Sequence, residues 1–162
     1  MKIIMTILSF FILTSLFSQK MEKTEKLLDS LNIDFNLTPN QIIKNNLFGT
    51  NIVWAGKLES IDISNMKDSL QIFFYCRHFN FDTVSKRLII DKQMKLKDKG
   101  SGSFIVSIIS SEMTMKDANE LKKTFERQAP CLLTIGKAVD IEKKFKKNYV
   151  NTFSYTFYTF RK

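Results

Sequence analysis

"TMKDANELKKTFER", residues 114–127, is the stretch on which the fold turns. Its apolar residues Met115, Ala118, Leu121 and Phe125 are spaced three, three and four apart, which is one face of a helix. Thr114 stands at the N-cap, Asp117 takes the capping-box position, and Pro130 follows the end. On either side of this helix the pattern is that of strands. Before it come 51–62, 70–81 and 102–110, and after it 131–141 and 152–160. Residues 86–90, "KRLII", read as a hairpin partner or extension of the second strand.

Three strands, a helix and two strands is the order of a five-stranded OB-like Greek-key barrel, mainly β within the α+β class, whose helix plugs one end between strands three and four. An open α+β sheet and a small sandwich are the competing architectures. Gly56 is expected to mark a bulge or a point of close approach, and Gly136 to help the strands coil. "TPNQIIKNNLFG", 38–49, adds an N-terminal helix: Thr38 caps it, Pro39 opens it, Gly49 ends it, and Ile42, Ile43 and Leu47 form its buried stripe. Residues 21–31 suit a short amphipathic helix or a partly ordered arm.

The first residues bear on compartment. Lys2 precedes fifteen uncharged residues, Ile3 to Phe17, too short a run for a spanning helix of about 20 residues. A charged start, a short apolar core and a small residue describe a secretory signal peptide over 1–18, cut after Ser18. The expected division is then 1–18 signal peptide, 19–50 N-terminal helical arm and 51–162 barrel domain. The chain carries 25 Lys+Arg against 16 Asp+Glu, a net charge of +9. Such a charge favours anionic surfaces, whether lipid head groups, envelope polysaccharide or nucleic acid, and it also serves solubility alone. Two cysteines, Cys76 and Cys131, are too few for a disulfide scaffold or a four-ligand zinc site. In the OB order the strands bearing them flank strand one, about 9–10 Å apart, beyond the roughly 7 Å a disulfide spans. Both are expected to be free.

"VWAGKLESI", "KDSLQIFFY", "GSFIV", "CLLTIGKAV" and a closing "YTFY" follow one another in an order similar to that of the Slp family of outer-membrane lipoproteins. The matching positions are Trp54, Gly56, Leu70, Ile72, Phe104, Thr134, Gly136 and Tyr155, within 49–158. The chain departs from that family in lacking a lipobox cysteine, and a longer helix replaces its Gly-Phe-Leu-Asp-Pro segment. The resemblance implies an envelope protein with a barrel-like fold and no catalytic residue.

Neither a P-loop, a Rossmann glycine pattern nor a Gly-x-Ser-x-Gly elbow occurs in the sequence. His78 is the one histidine. With Cys76 two residues away it shares a strand face, but a nucleophile pair needs an orienting third group, and packing is the plainer role. No catalytic residue, metal site or cofactor is expected. The candidate binding residues come from strand two, both of whose faces are rich in apolar residues although only one can point inside a barrel. The resemblance to the Slp family implies that Leu70, Ile72 and Phe74 point inward, which puts Phe73, Tyr75, Arg77 and Phe79 outward. OB folds use this outer face for oligonucleotides or oligosaccharides, and aromatic planes beside an arginine can stack bases or sugars. The other reading has the helix at 39–47 packing there through Ile42, Ile43 and Leu47, and the sequence favours it, because those residues need a surface. Lys143, Lys144, Lys146 and Lys147 fall between strands four and five and flank the same face, as a phosphate-binding loop or a solvated one. The function expected is a non-enzymatic binding or structural module of the cell envelope, periplasmic, outer-membrane-associated or secreted. Its partner would be an anionic envelope surface or polysaccharide. The second reading is a nucleic-acid or acidic-glycan binder using the aromatic face and the lysines.

Overall fold

The computed structural model describes residues 26, 28–85, 89, 95–97, 100–128, 130–140 and 148–158. Residues 1–18, expected to be a signal peptide, and Lys143, Lys144, Lys146 and Lys147 lie outside the described residues.

Strand β1 (Asn51–Asn65) is the longest, and its two ends pair with different neighbours. Its first half runs antiparallel to β6 (Cys131–Val139), from Asn51 opposite Lys137 to Lys57 opposite Cys131. Its second half runs antiparallel to β2 (Leu70–Phe79). β2 pairs in turn with β5 (Ser103–Ser110). β5 lies parallel to the start of β7 (Asn148–Tyr158) at Phe104–Val106, and β7 pairs antiparallel with β6. The order β1-β2-β5-β7-β6 returns to β1, so the pairings form a closed ring. A short separate pair joins β3 (Phe81–Thr83) to β4 (Lys95–Leu96).

A strand that serves two neighbours must bend. β1 does so at Glu59, the extra residue between Leu58, opposite Cys76, and Ser60, opposite Tyr75. The bulge shifts the inward set from Ile52, Trp54 and Leu58 to Ile61. Gly56 is therefore not the bulge that was one of its two expected roles. It is the other, a close approach: a Cβ there would stand 2.7 Å from Phe104 Cε1 and 2.8 Å from the Arg77 carbonyl oxygen. β7 has its own bulge, with Phe153 the extra residue between Thr152, opposite Gly136, and Ser154, opposite Ile135.

Helix α1 (Pro39–Asn45) starts as its sequence dictates. Thr38 accepts from the Gln41 amide, and the Gln41 side chain accepts from the Thr38 amide. It stops earlier than Gly49, because Asn46 takes the left-handed conformation at φ 52° and ends it. Helix α2 (Met115–Gln128) carries the Thr114–Asp117 capping box, with both backbone amides satisfied.

The interior cluster holds Ile52, Trp54, Leu58, Ile61, Leu70, Ile72, Phe74, Cys76, Phe104, Val106, Leu132 and Val150. α2 links the end of β5 to the start of β6 and closes that end with Ala118, Leu121 and Phe125. Phe125 meets Phe157 at 4.5 Å and Phe74 at 6.2 Å between ring centroids. The opposite end belongs to α1. Ile42 is fully buried in the same cluster, Pro39 and Asn40 stand against Gly102 before β5, and the Gly49 amide bonds the Ala138 carbonyl at 2.7 Å. Trp54 ties this end to the arm through Nε1, which donates to the Leu37 carbonyl at 2.7 Å.

This corrects one expectation. α1 does not cover the outer face of β2: Ile42 enters the interior, Ile43 is half-buried and Leu47 is exposed. The outer face that is covered is that of β1 and β6. Val53, Ala55, Leu133 and Ile135 form a second cluster there with Leu28 and Ile89, supported by Leu31, Ile33, Phe35, Phe81, Val84 and Leu96. The Ile89 amide bonds the Ser85 carbonyl at 3.0 Å, a helical-turn contact. At Ile89, the described part of 86–90, the chain is thus not a strand partner of β2, which β1 and β5 occupy.

Candidate ligand face

β2 alternates strictly. Leu70, Ile72, Phe74, Cys76 and His78 are buried, while Gln71, Phe73, Tyr75 and Phe79 are half-buried and Arg77 is exposed. Of the two faces the sequence left open, the inward one is that of Leu70, Ile72 and Phe74. Register then places the outward residues in rows across three strands: Ser60, Tyr75 and Ile105; Asp62, Phe73 and Ser107; Ser64, Gln71 and Ile109. Gln71 Nε2 donates to Ser107 Oγ at 2.8 Å, bridging β2 and β5 diagonally. Ile105, between Tyr75 and Tyr149 in register, is buried, whereas Ile109 is 63% exposed. Neither apolar cluster includes Phe73, Tyr75 or Phe79.

Arg77 stands at one end of these rows. Its Nη2 lies 2.7 Å from Glu59 Oε1, and Glu59 is the residue the β1 bulge sets apart. Both side chains are well exposed, so the pair orients more than it stabilises. A groove of about 540 Å³ opens beside it, lined by Lys57, Glu59, Ser60, Arg77, Phe125 and Glu126 among others. Phe79 lies opposite Ala55 of the second cluster and so stands at the margin of the covered region.

The structure thus brings Phe73, Tyr75, Arg77 and Phe79 to one side of the sheet. The other predicted binding residues, Lys143, Lys144, Lys146 and Lys147, are outside the described residues. Sequence reasoning missed Glu59, Asp62, Ser107 and Ile109 as members of the face. The sign was present in "KLESID": Leu58 and Ile61 are three apart, which breaks strand alternation and marks the bulge.

His78 and both cysteines are buried. His78 is 3% exposed, edge-on to Trp54 at 6.1 Å and to Phe104 at 6.3 Å between ring centroids. Its Nδ1 has no hydrogen-bond partner among the described residues, and burial pushes its pKa down to about 4. Cys76 and Cys131 are free and buried. Their strands flank β1 on opposite sides, as the barrel order requires. Burial first, then the neighbouring Cys131 and Glu59, push the Cys76 thiol far up. Burial pushes Cys131 up to about 11, although Lys57 pulls the other way. Neither is a thiolate at neutral pH, the form that acts as a nucleophile. Among the described residues no group of three or more His, Cys, Asp or Glu is placed to hold a metal ion, and no helix is long and apolar enough to cross a membrane.

Comparison of the chain with family models, with curated proteins and with solved structures finds no match.

Proposed function

We propose that the chain is an exported, non-enzymatic binding module of the cell envelope, an OB-like Greek-key barrel whose working surface is the outer face of β2 with its neighbours β1 and β5. The ring β1-β2-β5-β7-β6, with a helix between β5 and β6, supports the OB-like reading. The uncharged run from Ile3 to Phe17 and the resemblance to the Slp family support export and an envelope location, in the periplasm or at the outer membrane. One observation carries the choice of surface. The arm spends its apolar residues on β1 and β6, while Phe73 and Tyr75 face outward and belong to neither cluster.

The second reading, binding of nucleic acid or acidic glycan, draws on the net charge of +9 and on Lys143, Lys144, Lys146 and Lys147. Either ligand would occupy the same face. The test is an NMR titration of the full chain with a pool of oligosaccharides and single-stranded oligonucleotides. Backbone shifts should concentrate at residues 60–64, 71–77 and 105–109. Shifts confined to other surfaces, or none with any member of the pool, would refute this choice of surface.

A further inference from the structure

We infer that the β2 face takes an uncharged oligosaccharide in preference to a phosphate-bearing strand. This rests on reading that face as the binding surface.

Charge is the first ground. The chain carries +9, yet the described rows of the face do not share that sign. Among the nine positions of the three rows, the one acidic or basic residue is Asp62, directly across from Phe73. At the Arg77 end, Lys57 and Arg77 are met by Glu59 and, in the groove, Glu126. The β1–β2 turn adds Lys67 and Asp68, which cancel. A base stacked on Phe73 would carry its phosphates past Asp62, and among the described residues the nearest cations in register, Lys57 and Arg77, stand two positions along β2 from Tyr75, beside Glu59. Nucleic-acid affinity comes largely from neutralising phosphates.

Polar composition is the second ground. Around the rings of Phe73 and Tyr75 stand hydroxyls (Ser60, Ser64, Ser107), an amide (Gln71) and the carboxylate of Asp62. Hydroxyls and amides both donate and accept, and a carboxylate accepts. A sugar presents the complement: an apolar C–H face for an aromatic plane and a rim of hydroxyls that donate and accept. Gln71 is already held by Ser107, so its amide is oriented before any ligand arrives.

The test is calorimetric titration of the full chain with three classes of probe. These are neutral β-linked hexasaccharides of glucose, galactose and N-acetylglucosamine, a sulfated hexasaccharide, and a twelve-nucleotide single-stranded DNA. At least one neutral hexasaccharide should bind with an affinity that barely changes between low and high salt. Phe73→Ala should weaken that binding about tenfold or more, the effect of losing one stacking platform. Asp62→Lys, at an exposed position, should also weaken it and should not be rescued by salt. If the charged probes bind, the neutral ones do not, and Asp62→Lys tightens the charged complex, the preference is overturned while the face stands, provided Phe73→Ala weakens that complex. If no binding responds to Phe73→Ala or Asp62→Lys, with both variants folded by circular dichroism, the face itself is the wrong surface and both readings fall.

Discussion

His78 is the titratable residue whose burial bears on stability between about pH 4 and pH 7. It sits inside the ring against Trp54 and Phe104, its Nδ1 has no partner among the described residues, and burial holds it neutral. In the unfolded chain it takes its proton near pH 6.5, and in the folded chain only near pH 4. Between those values the unfolded state binds more protons, so stability falls as pH falls. Its contribution is complete above about pH 7 and is lost by about pH 4, an effect on the order of 3 kcal/mol. Denaturant melts across that range should show the loss, and His78→Phe should have a shallower slope there than the parent. An equal slope in both would mean that His78 titrates alike in the two states. Gly56 is the other residue with a fixed demand. Phe104 and the Arg77 carbonyl occupy the space a side chain there would need, so the β1–β2–β5 wall can close only over glycine.

Elements divide by whether their signal is periodic. α2 was legible because Met115, Ala118, Leu121 and Phe125 keep one face and Thr114 and Asp117 mark its start. β2 was legible because Leu70, Ile72 and Phe74 alternate with Gln71, Phe73 and Tyr75, although it ends at Phe79 and Phe81 begins β3 instead. The cover over β1 and β6 was not legible. Its apolar residues Leu28, Leu31, Ile33, Phe35, Phe81, Val84, Ile89 and Leu96 are scattered through short segments with no shared period. The sequence did hint that β1 and β6 are covered, since "NIVWAG" and "CLLTIG" are apolar on both faces. Nothing in it said by what. α1 was assigned the wrong surface for a related reason: a stripe of Ile42, Ile43 and Leu47 states that something is buried, not where. If residues 28–35 belong to the fold, Leu28→Ala, at a fully buried position, should cost about 2–5 kcal/mol in a denaturant melt. A loss below about 1 kcal/mol would show that the arm is not part of the cooperative unit.

At the scale of the whole molecule the apolar surface divides into two clusters, and the outer face of β2 belongs to neither. One cluster fills the ring and is closed by α1 and α2, and a second lies outside β1 and β6. Phe73 lies on the third side, half-buried, across from Asp62 and Ser107. Adjacent residues on β2 therefore have opposite roles, since Phe74 is 2% exposed in the interior while Phe73 faces out. Parallel guanidinium melts of Phe73→Ala and Phe74→Ala measure that division directly. Phe74→Ala should lose about 3–5 kcal/mol, the range for a buried aromatic cut to alanine. Phe73→Ala should lose no more than about 1 kcal/mol, as for a residue outside the core. Comparable losses in the two variants would mean that Phe73 is packed as core, and the outer face of β2 would not be available to any ligand.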